Sequence, residues 1–264
     1  MELLQKAGLS AYVGKVNMDR NSPEFLIEET NQSLADTKVW LDTSAQFGPL
    51  VKPIITPRFV PSCTSELMTG LAKLAKEYDV PVQSHLSENH GEIDWVASLH
   101  PESSNYTDVY YEHHLMGTVP TVMAHCIHLS DVEMDRMAET QTMVSHCPYS
   151  NVNLSSGIAP IRKLIERNIP IGLGSDISGG HIVSMAKVLT EAIGLSKMKW
   201  AEVDPNYAPL TLSEAFYMAT KGGGQFFGHV GSFEKGYELD ALIIDDTSLF
   251  CLLYTSDAAD EEDS

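Results

Sequence analysis

Four short apolar runs in this chain each end on a side chain that can bind a metal or move a proton. Val80-Pro81-Val82-Gln83-Ser84 closes on His85, Thr121-Val122-Met123-Ala124 on His125, Thr142-Met143-Val144-Ser145 on His146, and Ile169-Pro170-Ile171-Gly172-Leu173-Gly174-Ser175 on Asp176. Stretches with helical periodicity separate them, and repeated strand-then-helix units argue for a parallel sheet. In a barrel of parallel strands wrapped by helices, the carboxyl ends of the strands open onto one face, where active sites collect. Residues far apart in sequence are therefore expected to converge on one pocket.

The wider composition narrows the functional classes. With 264 residues, 43% of them hydrophobic, the chain can fill the core of one large α/β domain. The formal charge is −19, with no Lys/Arg cluster to offset it, which disfavours nucleic acid and anionic lipid as partners. No apolar run approaches the roughly 18 residues of a membrane span, and Met1-Glu2-Leu3-Leu4-Gln5-Lys6 lacks the apolar core of a signal peptide. A cytoplasmic protein is the expectation. Cys63, Cys126, Cys147 and Cys251 form no C-x-x-C pair, so reduced thiols are expected rather than disulfides or a structural zinc finger.

Periodicity predicts strands over Ala11–Met18 and Val51–Phe59 before the four runs above. Helices are expected over Pro23–Leu41, from a Ser65 cap to Asp79, over Ile93–Leu99 and Asp108–Met116, and from a Ser130 cap to Glu139. Others are expected from Pro160, over Ile182–Ser196 and over Leu212–Thr220. That makes six strands where a closed barrel of this type has about eight. The residues alone allow an open doubly wound sheet, a barrel lacking two units, or a six-unit fold, the last without any Gly-x-Gly-x-x-Gly loop for a dinucleotide.

Motifs along the chain resemble, in order, those of the amidohydrolase superfamily. They are Thr56-Pro57-Arg58-Phe59, Ser84-His85-Leu86-Ser87-Glu88-Asn89, Met123-Ala124-His125, Ser145-His146-Cys147-Pro148-Tyr149-Ser150-Asn151, and Gly172-Leu173-Gly174-Ser175-Asp176-Ile177-Ser178-Gly179-Gly180. Met143–Ser156 is similar to the metal-dependent deaminase and chlorohydrolase branch, and the first two motifs to those members that deaminate guanine. The resemblance runs from about Tyr12 to about Ile244. It implies a partial TIM-like (β/α)8 barrel over 1–228, truncated at both ends and lacking the first strand units. It further implies the start of a flanking β-sandwich over 229–250, where Gly231–Ile244 matches the return into that sandwich. Residues 251–264, beginning Cys251-Leu252-Leu253-Tyr254-Thr255-Ser256, are expected to be a non-native tail.

The resemblance also implies a zinc or iron centre held by a first-strand His-x-His pair, a fifth-strand His and an eighth-strand Asp. His85 and Asp176 match the last two as metal ligands, and the His-x-His pair is absent from this sequence. The implied reaction is hydrolytic deamination of guanine to xanthine and ammonia in the intact enzyme, which is expected to be a homodimer, with this shorter chain inactive by itself. Other members of the branch acting on cytosine, a thioadenosine, 8-oxoguanine or a triazine are the alternative, as is a catalytically dead binding protein.

The chemistry assigns roles to particular residues. A metal lowers the pKa of bound water toward neutrality, and imidazole nitrogen with carboxylate oxygen suits zinc. Glu88, three residues past His85, is expected to carry a proton from water to a ring nitrogen and then to the departing ammonia. His125 is expected to steady the attacking oxygen, with Asp176 as a further acceptor. The forked, permanently charged Arg58 suits a purine carbonyl, with Phe59 against the ring and His85, Leu86, Ser87, Glu88 and Asp176 lining the remainder. His146 is expected to be structural, in a turn-forming motif. His90, His100, His113, His114, His128, His181 and His229 are expected to be solvated.

Overall fold

A computed structural model describes residues 1–244. The chain opens with α1 (Glu2–Ala7), β1 (Ala11–Val13), β2 (Val16–Asn17) and α2 (Thr30–Ser44), followed by β3 (Val51–Pro53), β4 (Thr56–Pro57) and α3 (Ser65–Tyr78). Next come β5 (Val82–Leu86), α4 (His90–Leu99), α5 (Tyr106–Glu112), β6 (Thr121–His125), α6 (Asp131–Glu139) and β7 (Met143–His146). The last elements are α7 (Pro148–Asn153), α8 (Ile161–Glu166), β8 (Ile171–Leu173), α9 (Met185–Glu202), α10 (Leu212–Tyr217) and a π-helical turn over Met218–Gly222.

Every strand pairing is parallel. β1 pairs with β3 and β2 with β4, while β5, β6, β7 and β8 form one sheet in chain order. Ile55 joins the two parts: its N–H donates to the Pro81 carbonyl and its own carbonyl accepts from Gln83 N–H, both at 2.9 Å. The result is six strand positions in sequence order with helices between them, as a partial (β/α)8 barrel requires. Leu67, Leu71, Leu86, Met123, Met134, Met137, Val144 and Leu164 pack between the strands and those helices in one apolar core. Tyr110 is a fully buried hub, where its hydroxyl lies 2.7 Å from Ser84 Oγ and donates to the His85 carbonyl at 2.8 Å.

Several boundaries differ from the sequence reading, each for a local reason. Residues 11–18 and 51–59 each form two short pieces instead of one strand. Pro53 and Pro57 bring no N–H to the ladder, and a Cβ on Gly14 would strike Thr56 Oγ1 and the Ile54 carbonyl. The helix expected from Pro23 begins only at Thr30. Before it, Glu28 N–H is committed to the Met18 carbonyl and the Glu28 carboxylate to Lys15, and Glu29 provides the N-cap. The cap of α3 is Thr64, not Ser65, because Thr64 Oγ1 accepts Leu67 N–H while its hydroxyl donates to Asp19. Asn105 starts α5 two residues earlier than expected, and the helix stops before His113 and His114 rather than at Met116. The helix expected over Ile182–Ser196 runs later, Met185–Glu202. His100 is buried, not solvated, with its Nε2 3.1 Å from the Arg20 guanidinium.

The expected sandwich return over Gly231–Ile244 contains no strand, and residues 245–250 together with the tail lie outside the described residues. No described helix is long and apolar enough to cross a membrane.

The edge strand β8 meets the π-helical turn with no side chain between them. A Cβ on Gly172 would come within 2.8 Å of Met143 Cε and 2.9 Å of Gly223 Cα. Gly172→Ala should therefore destabilise the chain by about 1–3 kcal/mol, the usual cost of overpacking, and lower the urea midpoint. An unchanged midpoint would show that the two backbones can separate without loss.

Candidate active site

At the carboxyl end of the sheet, the connections leaving β5, β6 and β8 enter the left-handed region at non-glycine residues: Ser87 (φ 50°), His125 (φ 72°), Cys126 (φ 53°) and Asp176 (φ 44°). Such residues are uncommon outside glycine and cluster where side chains are aimed for function. His125 is the informative case. In the parallel register it stands opposite Leu86, while His85 stands opposite Ala124, so a regular pleat would send His125 to the helix side with Leu86. Its left-handed backbone breaks the pleat, and its ring instead stacks on that of His85, with centroids 5.4 Å apart.

The half-buried His85 is held by its own backbone neighbourhood. Its Nδ1 donates to the Arg58 carbonyl at 2.6 Å, which fixes the tautomer and leaves the Nε2 lone pair free, the arrangement typical of a metal-ligating histidine. Burial, then the adjacent His125 ring, push His85 below its ordinary value, against the pull of the Arg58 carbonyl, Glu88 and Asp176. The neutral form, the one that binds metal, is thereby favoured.

Glu88 lies on the connection after β5, with its backbone N–H bonded to the buried Glu92 carboxylate at 2.9 Å. Its carboxylate reaches two groups: Oε1 accepts from Ser156 Oγ at 3.2 Å, and Oε2 is 3.7 Å from His125 Nε2. The other nitrogen of His125 donates to Asn151 Oδ1 at 3.1 Å. Asp176 is half-buried, packed so close to Gly179 that a Cβ there would lie 2.6 Å from both Asp176 Oδ2 and Ser150 Oγ. Ser87 Oγ, His146 Nδ1, Ser150 Oγ and Asn151 Nδ2 are buried at this end of the sheet with no hydrogen-bond partner, a concentration of polar capacity unusual for a structural core.

The structure thus gathers His85, Glu88, His125 and Asp176 as expected. Arg58 is exposed, its guanidinium 5.3 Å from the Phe59 ring centroid and Nη1 3.6 Å from Met18 Sδ, and it enters no ion pair among the described residues. Phe59 also meets Trp95 edge-on at 6.3 Å. Leu86 does not line the site with its side chain, which is fully buried in the apolar core. Ser87 contributes its carbonyl to Ile127 and His128 N–H groups, both at 3.1 Å. Ser156 and Asn151 escaped the sequence reading. Both lie within the Met143–Ser156 stretch, but neither follows a strand directly.

As a metal site this set is incomplete: among the described residues no group of three or more His, Cys, Asp or Glu side chains is placed to hold an ion. His85 fits as a ligand by its tautomer and Asp176 by its oxygen, and a catalytic zinc needs at least one more protein donor.

The amidohydrolase family matches residues 1–262. Guanine deaminase of Dictyostelium discoideum is 48% identical over 248 residues, which cover 92% of this chain and 55% of that protein. The crystal structure of guanine deaminase from C. acetobutylicum, with guanine bound in its active site, superposes with a TM-score of 0.93 at 52% identity, covering 96% of this chain and 60% of that one. An adenosine deaminase from Xanthomonas campestris with bound zinc shares the fold at 22% identity, with a TM-score of 0.82 over 94% of this chain and 55% of that one. The chain spans about half the length of the curated relatives it matches.

His146 gives a pH test of this cluster. Burial first, and then the neighbouring His125, push its imidazole down to about 3 from an ordinary 6.5. Between these values the unfolded chain binds a proton that the native chain refuses. The stability tied to neutral His146 is therefore complete above about pH 6.5 and lost as pH falls toward 3, at about 1.4 kcal/mol per pH unit. Urea midpoints should fall between pH 7 and 4, and less steeply in His146→Gln; equal slopes in the two proteins would contradict this.

Proposed function

The chain belongs to the amidohydrolase family, and we propose that it carries the proton-transfer and base-recognition half of a guanine-deaminating hydrolase. The observation that carries this reading is the approach of the Glu88 carboxylate to His125, whose ring stacks on that of His85, itself fixed by the Arg58 carbonyl. The similarity to a relative with guanine in its active site supports it. The reaction consumes one water and converts guanine to xanthine and ammonia: a C2–O bond forms and the C2–N bond to the exocyclic amine breaks.

Within that reaction Glu88 accepts the proton of the attacking water, delivers it to the ring nitrogen beside C2, and serves again as the amine leaves. His125, beside Glu88, steadies the developing negative oxygen once its Nε2 carries a proton. Asp176 accepts a hydrogen bond from the same oxygen or binds the metal. Arg58 presents forked donors to the carbonyl at C6, and Phe59 covers the ring. Zinc, with iron as the alternative, would make water nucleophilic near neutral pH; His85 and Asp176 are the donors this chain offers. A homodimeric, cytoplasmic enzyme is part of the same proposal.

Two experiments on the full-length protein test these roles. Glu88→Gln should keep the metal and lower turnover by roughly 10²-fold or more, as loss of general acid/base catalysis does, whereas His85→Ala should lose metal. If Glu88→Gln lost zinc and His85→Ala kept it, the roles would be reversed. 2,6-Diaminopurine keeps the C2 amine but places a second amine where guanine has its C6 carbonyl, leaving a charged donor of Arg58 unpaired. Arg58→Ala should then lower kcat/KM for guanine ten-fold to several hundred-fold, narrow the gap to 2,6-diaminopurine, and leave zinc content alone. An unchanged guanine constant would place Arg58 outside the pocket.

A further inference from the structure

Glu88 and His125 follow different strands, and a proton can pass reliably between them only if both side chains are held. One short segment reaches both. Asn151, fully buried in α7, accepts from His125 Nδ1 through its Oδ1 at 3.1 Å. Ser156, five residues on and also buried, donates from Oγ to Glu88 Oε1 at 3.2 Å. The segment is closed on itself by Ser156 N–H donating to the Asn151 carbonyl at 2.8 Å. It is also pinned to the connection after β6, where His128 Nε2 donates to the Ser156 carbonyl at 2.7 Å. Gly157 (φ 128°) makes this contact possible, since a Cβ there would lie 3.1 Å from both His128 Cε1 and Ile127 Cγ2.

Resting on the reading of Glu88 as proton carrier, we propose that Asn151 and Ser156 are positioning residues that set Glu88 and His125 as a proton-transfer pair. The hydrogen-bond inventory dictates the form. An amide oxygen only accepts, so His125 carries a proton on Nδ1 and turns Nε2 toward Glu88. A carboxylate only accepts, so Ser156 must donate, and this occupies Oε1 and leaves Oε2 facing His125. The gap of 3.7 Å between Oε2 and Nε2 exceeds a direct hydrogen bond. The geometry leaves Nε2 of His125 and Oε2 of Glu88 facing one another, the two atoms between which a proton brought in by the reaction would pass.

The first test is on this chain itself, labelled with ¹⁵N-histidine. NMR should show His125 as the Nδ1–H tautomer in the unmodified chain and in Asn151→Asp, which keeps the acceptor, and a shift toward Nε2–H in Asn151→Ala. An Nε2–H tautomer in the unmodified chain would overturn the assignment, whether or not the variants fold. The second test is kinetic, on the full-length protein with guanine. Ser156→Ala should lower kcat by roughly ten-fold or more with KM little changed, the scale of one hydrogen bond to a charged group, and Ser156→Thr should restore most of it. Adding Ser156→Ala to Glu88→Gln should cost nothing further if Ser156 acts through Glu88. Additive losses, or full activity in Ser156→Ala beside an inactive Glu88→Gln, would overturn the role of Ser156. Full activity in Glu88→Gln would instead overturn the reading of Glu88 itself.

Discussion

The site depends on one break in a regular pattern, the left-handed backbone at His125. A parallel ladder fixes which side chains share a face, and its register assigns His125 to the side of Leu86, among helices. Keeping it there would bury an imidazole in an apolar core. The residue instead adopts φ 72°, a conformation that costs a non-glycine residue roughly 1–3 kcal/mol, and the ring returns to the mouth of the sheet beside His85. The hydrogen bonds that follow hold the strained turn in place. Cys126 N–H meets the Leu86 carbonyl at 2.9 Å, and the next two N–H groups share the Ser87 carbonyl. Strain at one strand end is thus compensated by the neighbouring one, and the two connections are fixed together.

Around that turn the polar groups are arranged by what each can donate or accept. The Arg58 carbonyl takes the Nδ1 proton of His85, so the strand that presents Arg58 to solvent also orients the ring next door. Glu88 is anchored twice, through its backbone to Glu92 and through its side chain to Ser156. Glu92 in turn closes the Asn89 capping box of α4 and accepts the Tyr106 hydroxyl at 2.7 Å. The start of a helix, a buried tyrosine and the placement of the Glu88 carboxylate are therefore one network. The metal donors proposed for this chain are less complete: a single imidazole and a single carboxylate would not enclose an ion.

The chain-order parallel sheet was legible because strand-then-helix alternation is a property of the residues themselves. The proximity of His85, Glu88, His125 and Asp176 was legible because each sits at or just past a strand end, where topology alone forces convergence. Asn151 and Ser156 were not. Their importance arises from a turn between β7 and α8 that folds back on the connections after β5 and β6, and nothing in local periodicity signals such a contact. Leu86 was misplaced for the opposite reason, since adjacency to His85 in sequence means the opposite face in a strand. The helix expected from Pro23 failed because tertiary bonds to Met18 and Lys15 hold Glu28 outside the helix, a competition invisible to a pattern of apolar spacing.

The central claim is that these residues serve the addition of water to C2 of guanine. It is tested most directly by turning over guanine with the full-length protein in H₂¹⁸O and analysing the products by mass spectrometry. The account predicts xanthine carrying one ¹⁸O atom at C2, formed in equal amount with ammonia. Xanthine without the label, or turnover of a chlorinated triazine with none of guanine, would contradict it.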